Sequence, residues 1–339
     1  MSIANPAPGA DPALTPENLA AGVDREIVLS NQRVYAGWAG IAVAGLCILY
    51  TGFHIAVMNL YPLETWTYRL IHVTGGLVLG FVLYAASVFQ PGDEASGGKP
   101  TVAEWGLAGL ALAGVGIAFV QIVLAITGND LVAMGAPRDK HLLTFGWPLT
   151  AGTAMALVAS WLYPGRDRAR FAPADMVLAL AALTVGLYII SHAGFLRLRA
   201  GMPFAHPNDM YASIVGIALI LELTRRLAGM ALVVIVLVFI AYGFVGPWLP
   251  GFLNHGGYQA VRFFARIYTD VGVLGPTTAV SSTYIILFIT FAAFLQASKV
   301  GEYFVNFAFS VAGGARGGPA KVAIFGSGLM GMINGTSAG

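Results

Sequence analysis

The sequence predicts an all-α integral membrane protein that crosses the bilayer about eight times. Of its 339 residues, 57% are apolar and only 10% are Asp, Glu, Lys or Arg, whereas an average soluble protein carries roughly 25% charged residues. Several apolar runs reach the length of about 20 residues that a helix needs to cross the hydrocarbon layer. Because lipid offers the backbone no hydrogen-bond partners, such runs must be helical. These observations exclude a soluble globular protein and a disordered chain.

The rest of the composition excludes further classes of protein. The single cysteine, Cys47, rules out a disulfide framework and a cysteine-based zinc site. The 18 basic and 16 acidic residues leave a net charge of +2, which is too small and too scattered for a nucleic-acid surface. The sequence therefore predicts no nucleic-acid partner and no organic cofactor.

Residues 1–33 are predicted to be a solvated tail, and the membrane spans follow. The tail carries four prolines and lacks the basic start and early apolar run of a cleavable signal peptide. Apolar runs predict eight spans, of which the sixth is short for a bilayer. They cover residues 34–57, 70–89, 102–127, 142–163, 176–195, 210–223, 230–247 and 278–296.

The distribution of basic residues predicts the orientation. When the eight spans alternate across the membrane, eleven of the 18 Lys and Arg fall on the side of the amino terminus and seven fall on the other side. The positive-inside rule then places the amino terminus in the cytoplasm. Loss of the sixth span would invert everything after it.

Few titratable residues lie within the spans. A membrane enzyme or haem protein would need clustered histidines or acidic pairs there, and none is found, so we predict no catalytic residue. Glu222 is followed by Arg225 and Arg226, and its spacing of four residues from Arg226 predicts a structural ion pair at the end of a helix. The histidines could form a proton-sensitive or partner-docking rim, or they could simply tolerate the interface. All six are predicted at the outer ends of spans: His54, His72, His141, His192, His206 and His255.

The chain changes character near residue 200. Short loops join the first five spans, which predicts a compact helical unit over residues 34–200. In the later part, residues 247–276 mix Arg262 and Arg266 with Phe263 and Phe264. This mixture is typical of a helix that lies along the membrane surface.

The last 40 residues point to a binding site. Residues 300–311 are amphipathic, residues 313–321 form a basic glycine-rich loop, and residues 322–333 are apolar. A run of 12 apolar residues is too short to cross and predicts a re-entrant half-helix. Carbonyl and hydroxyl oxygens at the end of such a helix suit a small cation such as sodium. The residues that follow the run are Asn334, Gly335, Thr336 and Ser337.

A competing interpretation starts from Gly326, Gly328 and Gly331, which match the GxGxxG pattern of dinucleotide-binding domains. That pattern must open a βαβ unit and requires an acidic residue about 20 positions later. Only eight residues follow Gly331 and none of them is acidic. The membrane interpretation is therefore preferred.

Residues 317–339 resemble a known transporter element. They read GGPAKVAIFGSGLMGMINGTSAG, which is similar to the first re-entrant hairpin of the large permease subunit of tripartite ATP-independent periplasmic (TRAP) transporters, in the TAXI branch. Residues 221–226, 242–251 and 275–282 resemble the opening of fused permeases of that branch. The resemblance covers roughly residues 207–339, and residues 34–200 then correspond in layout to the small membrane subunit.

The resemblance implies a bacterial inner-membrane permease. Such a protein imports an organic anion, a carboxylate or amino acid, delivered by a periplasmic TAXI-type solute-binding protein. A sodium or proton gradient drives import, and sodium is the possible ion at Asn334, Gly335, Thr336 and Ser337. Residues 201–339 would be the first part of the large permease domain.

The resemblance also leaves an alternative open. Family members continue for hundreds of residues beyond this hairpin, so we expect 339 residues to be an incomplete transporter. The alternative is a truncated, non-transporting membrane module with a scaffold or assembly role.

Overall fold

A computed structural model describes residues 30–89, 100–128, 138–165, 167–199, 206–314 and 316–334 of the chain. Within these ranges the chain is helical, and strand-like pairing is limited to one bridge between Gln32 and Tyr84. The prediction of an all-α polytopic membrane protein is confirmed. We number the helices in chain order as α1 (Gly37–Asn59), α2 (Thr65–Leu83), α3 (Val102–Ile126), α4 (Asp139–Leu162), α5 (Pro173–Ser191), α6 (Ala193–Arg199), α7 (Pro207–Ala228), α8 (Met230–Val245), α9 (Ala260–Ile267), α10 (Pro276–Ala297), α11 (Val300–Ala312) and α12 (Gly318–Asn334).

Seven of the described helices are long and apolar enough to cross a membrane, namely α1, α2, α3, α4, α5, α8 and α10. Each of them overlaps a predicted span. Helix α3 begins at Val102, where the sequence predicts it, because Thr101 accepts a hydrogen bond from the backbone N–H of Glu104 and caps the helix. Local sequence thus accounts for all seven.

The second span lies closer to the amino terminus than predicted. Glu64 caps α2 by accepting a hydrogen bond from the amide of Thr67 (3.0 Å), so the helix starts before residue 70. At its other end Tyr84 is extended, and the amide of Ala85 donates to the carbonyl of Asn31 (2.9 Å). Residues 84–89 therefore pack against the end of the predicted tail, where Arg33 is buried.

The sixth predicted span is a complete helix, α7, with 22 residues. At a rise of 1.5 Å per residue it is about 33 Å long. Near its start, Asp209 accepts a hydrogen bond from Tyr188 close to the end of α5 (2.6 Å). Near its end, Arg226 donates to Asp175 at the start of α5 (2.8 Å). Helix α7 therefore runs antiparallel to α5 from one end of the bundle to the other.

Helix α7 differs from the seven apolar helices because its polar residues lie inside the protein. The buried ones are Asn208, Asp209, Ser213, Glu222 and Arg226. Polar groups at membrane depth are tolerated where other protein groups satisfy them. We call the end of the bundle that holds Asp175 and Arg226 the arginine end, and the opposite end, with Tyr188 and Asp209, the histidine end.

The core lies between α2, α3, α4, α5 and α7. Its fully buried side chains include Phe81, Phe145, Leu178 and Leu219, so it contains residues from both sides of the predicted boundary at residue 200. Helices α1, α8 and α10 are mostly uncovered, and their apolar surface is suited to acyl chains.

The segment predicted to hold a surface helix contains α9. Arg262 and Arg266 are exposed on one side of it, whereas Ala265 is buried and Phe264 packs against the core. The helix is thus amphipathic, and its position on the membrane surface stays a prediction.

Helices α3 and α4 make a close glycine contact. A Cβ atom at Gly114 would lie 2.7 Å from the carbonyl oxygen of Pro148, and one at Gly152 would lie 2.7 Å from that of Ala111. The absence of a side chain at Gly114 therefore permits the close packing of α3 on α4. A Cβ at Gly116 would meet nothing within 4 Å.

We expect Gly114→Ala to destabilise the protein by about 1–3 kcal/mol, because the added methyl group forces α3 and α4 apart. Gly116→Ala is the matched control, and it should be neutral or stabilising by up to about 1 kcal/mol, since only helix propensity changes. Unfolding of both variants in mixed detergent micelles measures the difference. Equal stabilities would contradict the close contact.

Candidate functional site

The predicted cation-binding segment begins where α12 ends. Asn334 is the last residue of α12. Gly335, Thr336 and Ser337 lie outside the described residues, as does the side chain of Asn334. The assignment of these four residues to a cation or substrate site stays a prediction.

Helix α12 is longer than its apolar run predicts. The predicted loop over residues 313–321 ends at Gly317, whose φ of 76° suits glycine. Gly318 then starts the helix with Pro319 at its second residue, a position that tolerates proline because the missing N–H is unpaired anyway. With 17 residues, α12 is about 26 Å long, less than the roughly 30 Å of hydrocarbon.

Helix α11 packs against α12 across the short turn between them. The turn is tight, since a Cβ at Gly318 would lie 2.3 Å from the carbonyl oxygen of Gly313. Further along, a Cβ at Gly326 would lie 4.0 Å from side-chain carbons of Ala308 and Val305. The two helices therefore form a hairpin that also contacts α10, and Asn334 is the last residue of its second arm.

A network of buried charges holds the arginine end together. Asp175 accepts hydrogen bonds from Arg33 and from Arg226 (2.8 Å). Glu222 accepts from Arg226 (2.7 Å) and from Arg225 (2.8 Å). The side chains of Asp175 and Arg226 are 1% and 0% exposed. Because neither charge is solvated by water, each is stabilised by its oppositely charged partner. This network joins the segment before α1, the start of α5 and the end of α7.

The sequence predicted the pairing of Glu222 with the arginines that follow it and missed the contacts of Asp175. The ion pair between Glu222 and Arg226 is confirmed. Asp175 was not singled out, although an acidic residue at the start of an apolar run is itself a signal of a buried partner. Arg33 was assigned to the predicted tail and is instead buried. Glu104, near the start of α3, is also buried.

At the histidine end, polar contacts connect α10 with α1 and α2. His54 and His72 are joined by a hydrogen bond between ring nitrogens (2.9 Å), and His72 also contacts the hydroxyl of Ser281 (3.1 Å). The Tyr68 hydroxyl donates to the carbonyl of Ser282. Both serines lie in a π-helical turn, Ser281–Ile285, a feature that is frequent at functional sites.

A cleft of about 840 Å³ lies beside these contacts, between α2, α7 and α10. Its walls are mostly apolar, and its polar groups are Tyr50, His72, Thr277, Thr278 and Ser281. Because α10 is otherwise little covered, hydrogen bonds rather than close packing fix it against α2.

The histidines fall into separate groups. His54 and His72 form one group, whereas His141, His192 and His206 line a cavity at the same end of the bundle. His255, in the loop after α8, contacts the carbonyl of Tyr242 within that helix (3.0 Å). His54 is fully buried and His141 is nearly so, which argues against an exposed docking rim for these two. Within the described residues, no group of three or more His, Cys, Asp or Glu is placed to hold a metal ion.

Comparison with known proteins assigns the second part of the chain. Residues 215–339 match the family model of the tripartite ATP-independent periplasmic transporter, DctM component. No curated protein and no solved structure matches the chain. The match runs from the middle of α7 to the end of the chain, so a little more than a third of the chain is similar to this component of a TRAP transporter. This component belongs to a transporter and not to an enzyme family.

Proposed function

We propose that this chain is the membrane permease of a secondary transporter that imports an organic anion, a carboxylate or amino acid. The observation that carries the proposal is the match of residues 215–339 to the DctM component. The fold supports it, because α11 and α12 form a helical hairpin directly before an oxygen-rich segment. A sodium or proton gradient would supply the energy, with Asn334, Gly335, Thr336 and Ser337 as ligands of the ion or the substrate.

A TRAP membrane component implies a periplasmic solute-binding protein as its partner. The motifs within residues 317–339 favour a partner of the TAXI type. We place the protein in the bacterial inner membrane with the arginine end in the cytoplasm. The basic residues Arg33, Arg168, Arg225 and Arg226 support this orientation, since they meet at that end.

A non-transporting scaffold is the alternative function. The residues that match the transporter component include α10, α11 and α12, which lie outside the shared core. A scaffold role does not account for the similarity of these helices to a transporter component. The transport function is therefore the better supported of the two.

Uptake by reconstituted vesicles tests the proposal. We expect vesicles that contain the full-length protein, with its solute-binding protein outside, to accumulate a labelled amino acid or dicarboxylate under an inward sodium or proton gradient. ATP alone should have no effect. Uptake that ignores both gradients, or no uptake by vesicles with correctly folded protein, would contradict the proposed function.

A further inference from the structure

A small polar cavity lies at the histidine end, where α3, α4, α5, α6 and the start of α7 meet. Its volume of about 50 Å³ is enough for a few water molecules. Arg199 at the end of α6 and His206 just before α7 both line it. The cavity therefore lies between the two helices that flank residue 200. Its polar lining consists of Gln121, His141, Thr144, Tyr188, His192, Arg199, His206 and Asn208.

The charges around the cavity balance while the histidines are neutral. Arg199 lies 3.5 Å from the carboxylate of Asp209, which also accepts a hydrogen bond from Tyr188 (2.6 Å). The carboxylate is 1% exposed and has no other cation among its hydrogen-bond partners in the described residues. An added ion would disturb this balance at a buried site, so the cavity suits water better than a charged ligand.

His206 caps the start of α7. Its Nδ1 atom accepts a hydrogen bond from the backbone N–H of Asn208 (3.3 Å). An imidazole nitrogen that accepts a hydrogen bond carries no proton, so the ring is neutral in this arrangement. Protonation of Nδ1 would convert the acceptor into a donor that faces another donor. The cap would then be lost.

The surroundings of His206 also oppose a positive charge. The ring of His141 from α4 lies 4.3 Å away in an edge-to-face contact, and Arg199 from α6 and His192 from the end of α5 line the same cavity. Burial, followed by the charges of His141, Arg199 and His192, lowers the pKa of His206 to about 4. The positive end of the α7 dipole acts in the same direction.

Three further charged residues belong to the helices around His206, one of them buried and two exposed. Asp209 lies on α7 itself and is already engaged by Tyr188 and Arg199. Asp139 and Lys140 lie on the first turn of α4 and are exposed. Neither exposed residue is a lining residue of the cavity, so solvent screens both of them from the ring.

We propose that His206 is an acid-sensitive cap that fastens the start of α7 to the bundle, and that a proton on its imidazole releases this junction. The release acts on the connection between the five-span unit and the part that matches the transporter component. It requires no change in the buried charges at the arginine end, which hold the other end of α7 in place.

The direction of the pH dependence follows from the lowered pKa of His206. The cap forms only with the neutral ring. The capped state therefore has its full stability above the ordinary pKa of 6.5, and it loses stability as the pH drops toward 4. The ring is partly exposed, and solvent screening reduces the effect. We expect the opening equilibrium at the start of α7 to rise roughly tenfold between pH 7 and pH 5.

Hydrogen exchange of a peptide that covers residues 206–212 tests the proposal, after correction for the intrinsic effect of pH. The wild-type protein should lose about tenfold in protection between pH 7 and pH 5. His206→Asn keeps a capping side chain without the titration, and its protection should be independent of pH. His206→Ala should exchange fast at both pH values.

Two controls make the outcome decisive. His255→Asn removes a histidine outside the cavity and should keep the wild-type loss of protection. A peptide from the middle of α3 reports global folding in every variant, and His206→Ser replaces His206→Asn if the latter does not fold. Equal protection of the wild type at both pH values, or the same loss in His206→Asn, would overturn the proposal.

Discussion

Asp175→Asn should destabilise the protein by about 3–5 kcal/mol, because it leaves two buried guanidinium groups without their shared carboxylate. Arg33 would retain only the carbonyls of Phe81 and Val82 (2.9 and 3.2 Å). Arg226 would retain Glu222, which Arg225 already engages. Denaturant unfolding in mixed micelles, followed by circular dichroism, measures the change in unfolding free energy.

Asp167→Asn is the matched control for this prediction. Asp167 pairs with Arg170 at 3.1 Å, but the Arg170 side chain is 62% exposed. Exposed pairs contribute at most about 1 kcal/mol. Both variants replace an aspartate by an asparagine. The difference between their unfolding free energies therefore reports what the buried network contributes. If both variants lost the same stability, the network at the arginine end would not be what holds α5 and α7 together.

Thr336→Val and Ser337→Ala should each raise the sodium concentration that gives half-maximal uptake by roughly tenfold or more. Each change removes one hydroxyl oxygen from the proposed ion site, and a hydrogen bond or contact to a charged group is worth about 1.5–3 kcal/mol. The change of Thr336 nearly keeps the side-chain volume, so packing is little affected. Uptake by reconstituted vesicles over a series of sodium concentrations measures the effect.

Ser310→Ala provides the comparison within the same pair of helices. The Ser310 hydroxyl is exposed on α11 and donates to the carbonyl of Phe307 in its own helix (2.8 Å). Its removal should leave the sodium dependence unchanged. An unchanged half-maximal concentration in both Thr336→Val and Ser337→Ala would remove these hydroxyls from the ion site, while the transport function itself would be judged by the gradient experiment.

The membrane helices could be predicted because hydropathy is a local sum over neighbouring residues. The observed α3 differs from the predicted span by one residue at its end, since Thr101 and the apolar run define it without help from the rest of the chain. The limits of α2 were wrong, because residues 84–89 are apolar and yet pair with residues 30–33. Hydropathy alone does not distinguish a span from an extended apolar segment that packs on its neighbour.

Only the part of the candidate site that consists of consecutive residues could be predicted from the sequence. Residues 334–337 stand out by their composition and by the apolar run before them. The cap at His206 could not be seen in this way, because it depends on His141, His192 and Arg199 from three other helices. The sequence placed these histidines at one side of the membrane, and folding brings three of them to one cavity.

The sequence by itself determined that this protein is a bundle of membrane helices, where seven of them lie, and that Glu222 and Arg226 pair. These properties depend on composition and on spacing along one helix. Only the tertiary structure decided that α7 crosses the bundle as a buried polar helix, and that Arg33 meets Asp175 across 142 positions of sequence. The physical reason is that a buried charge is tolerated only beside its partner, and packing between helices decides which partner that is.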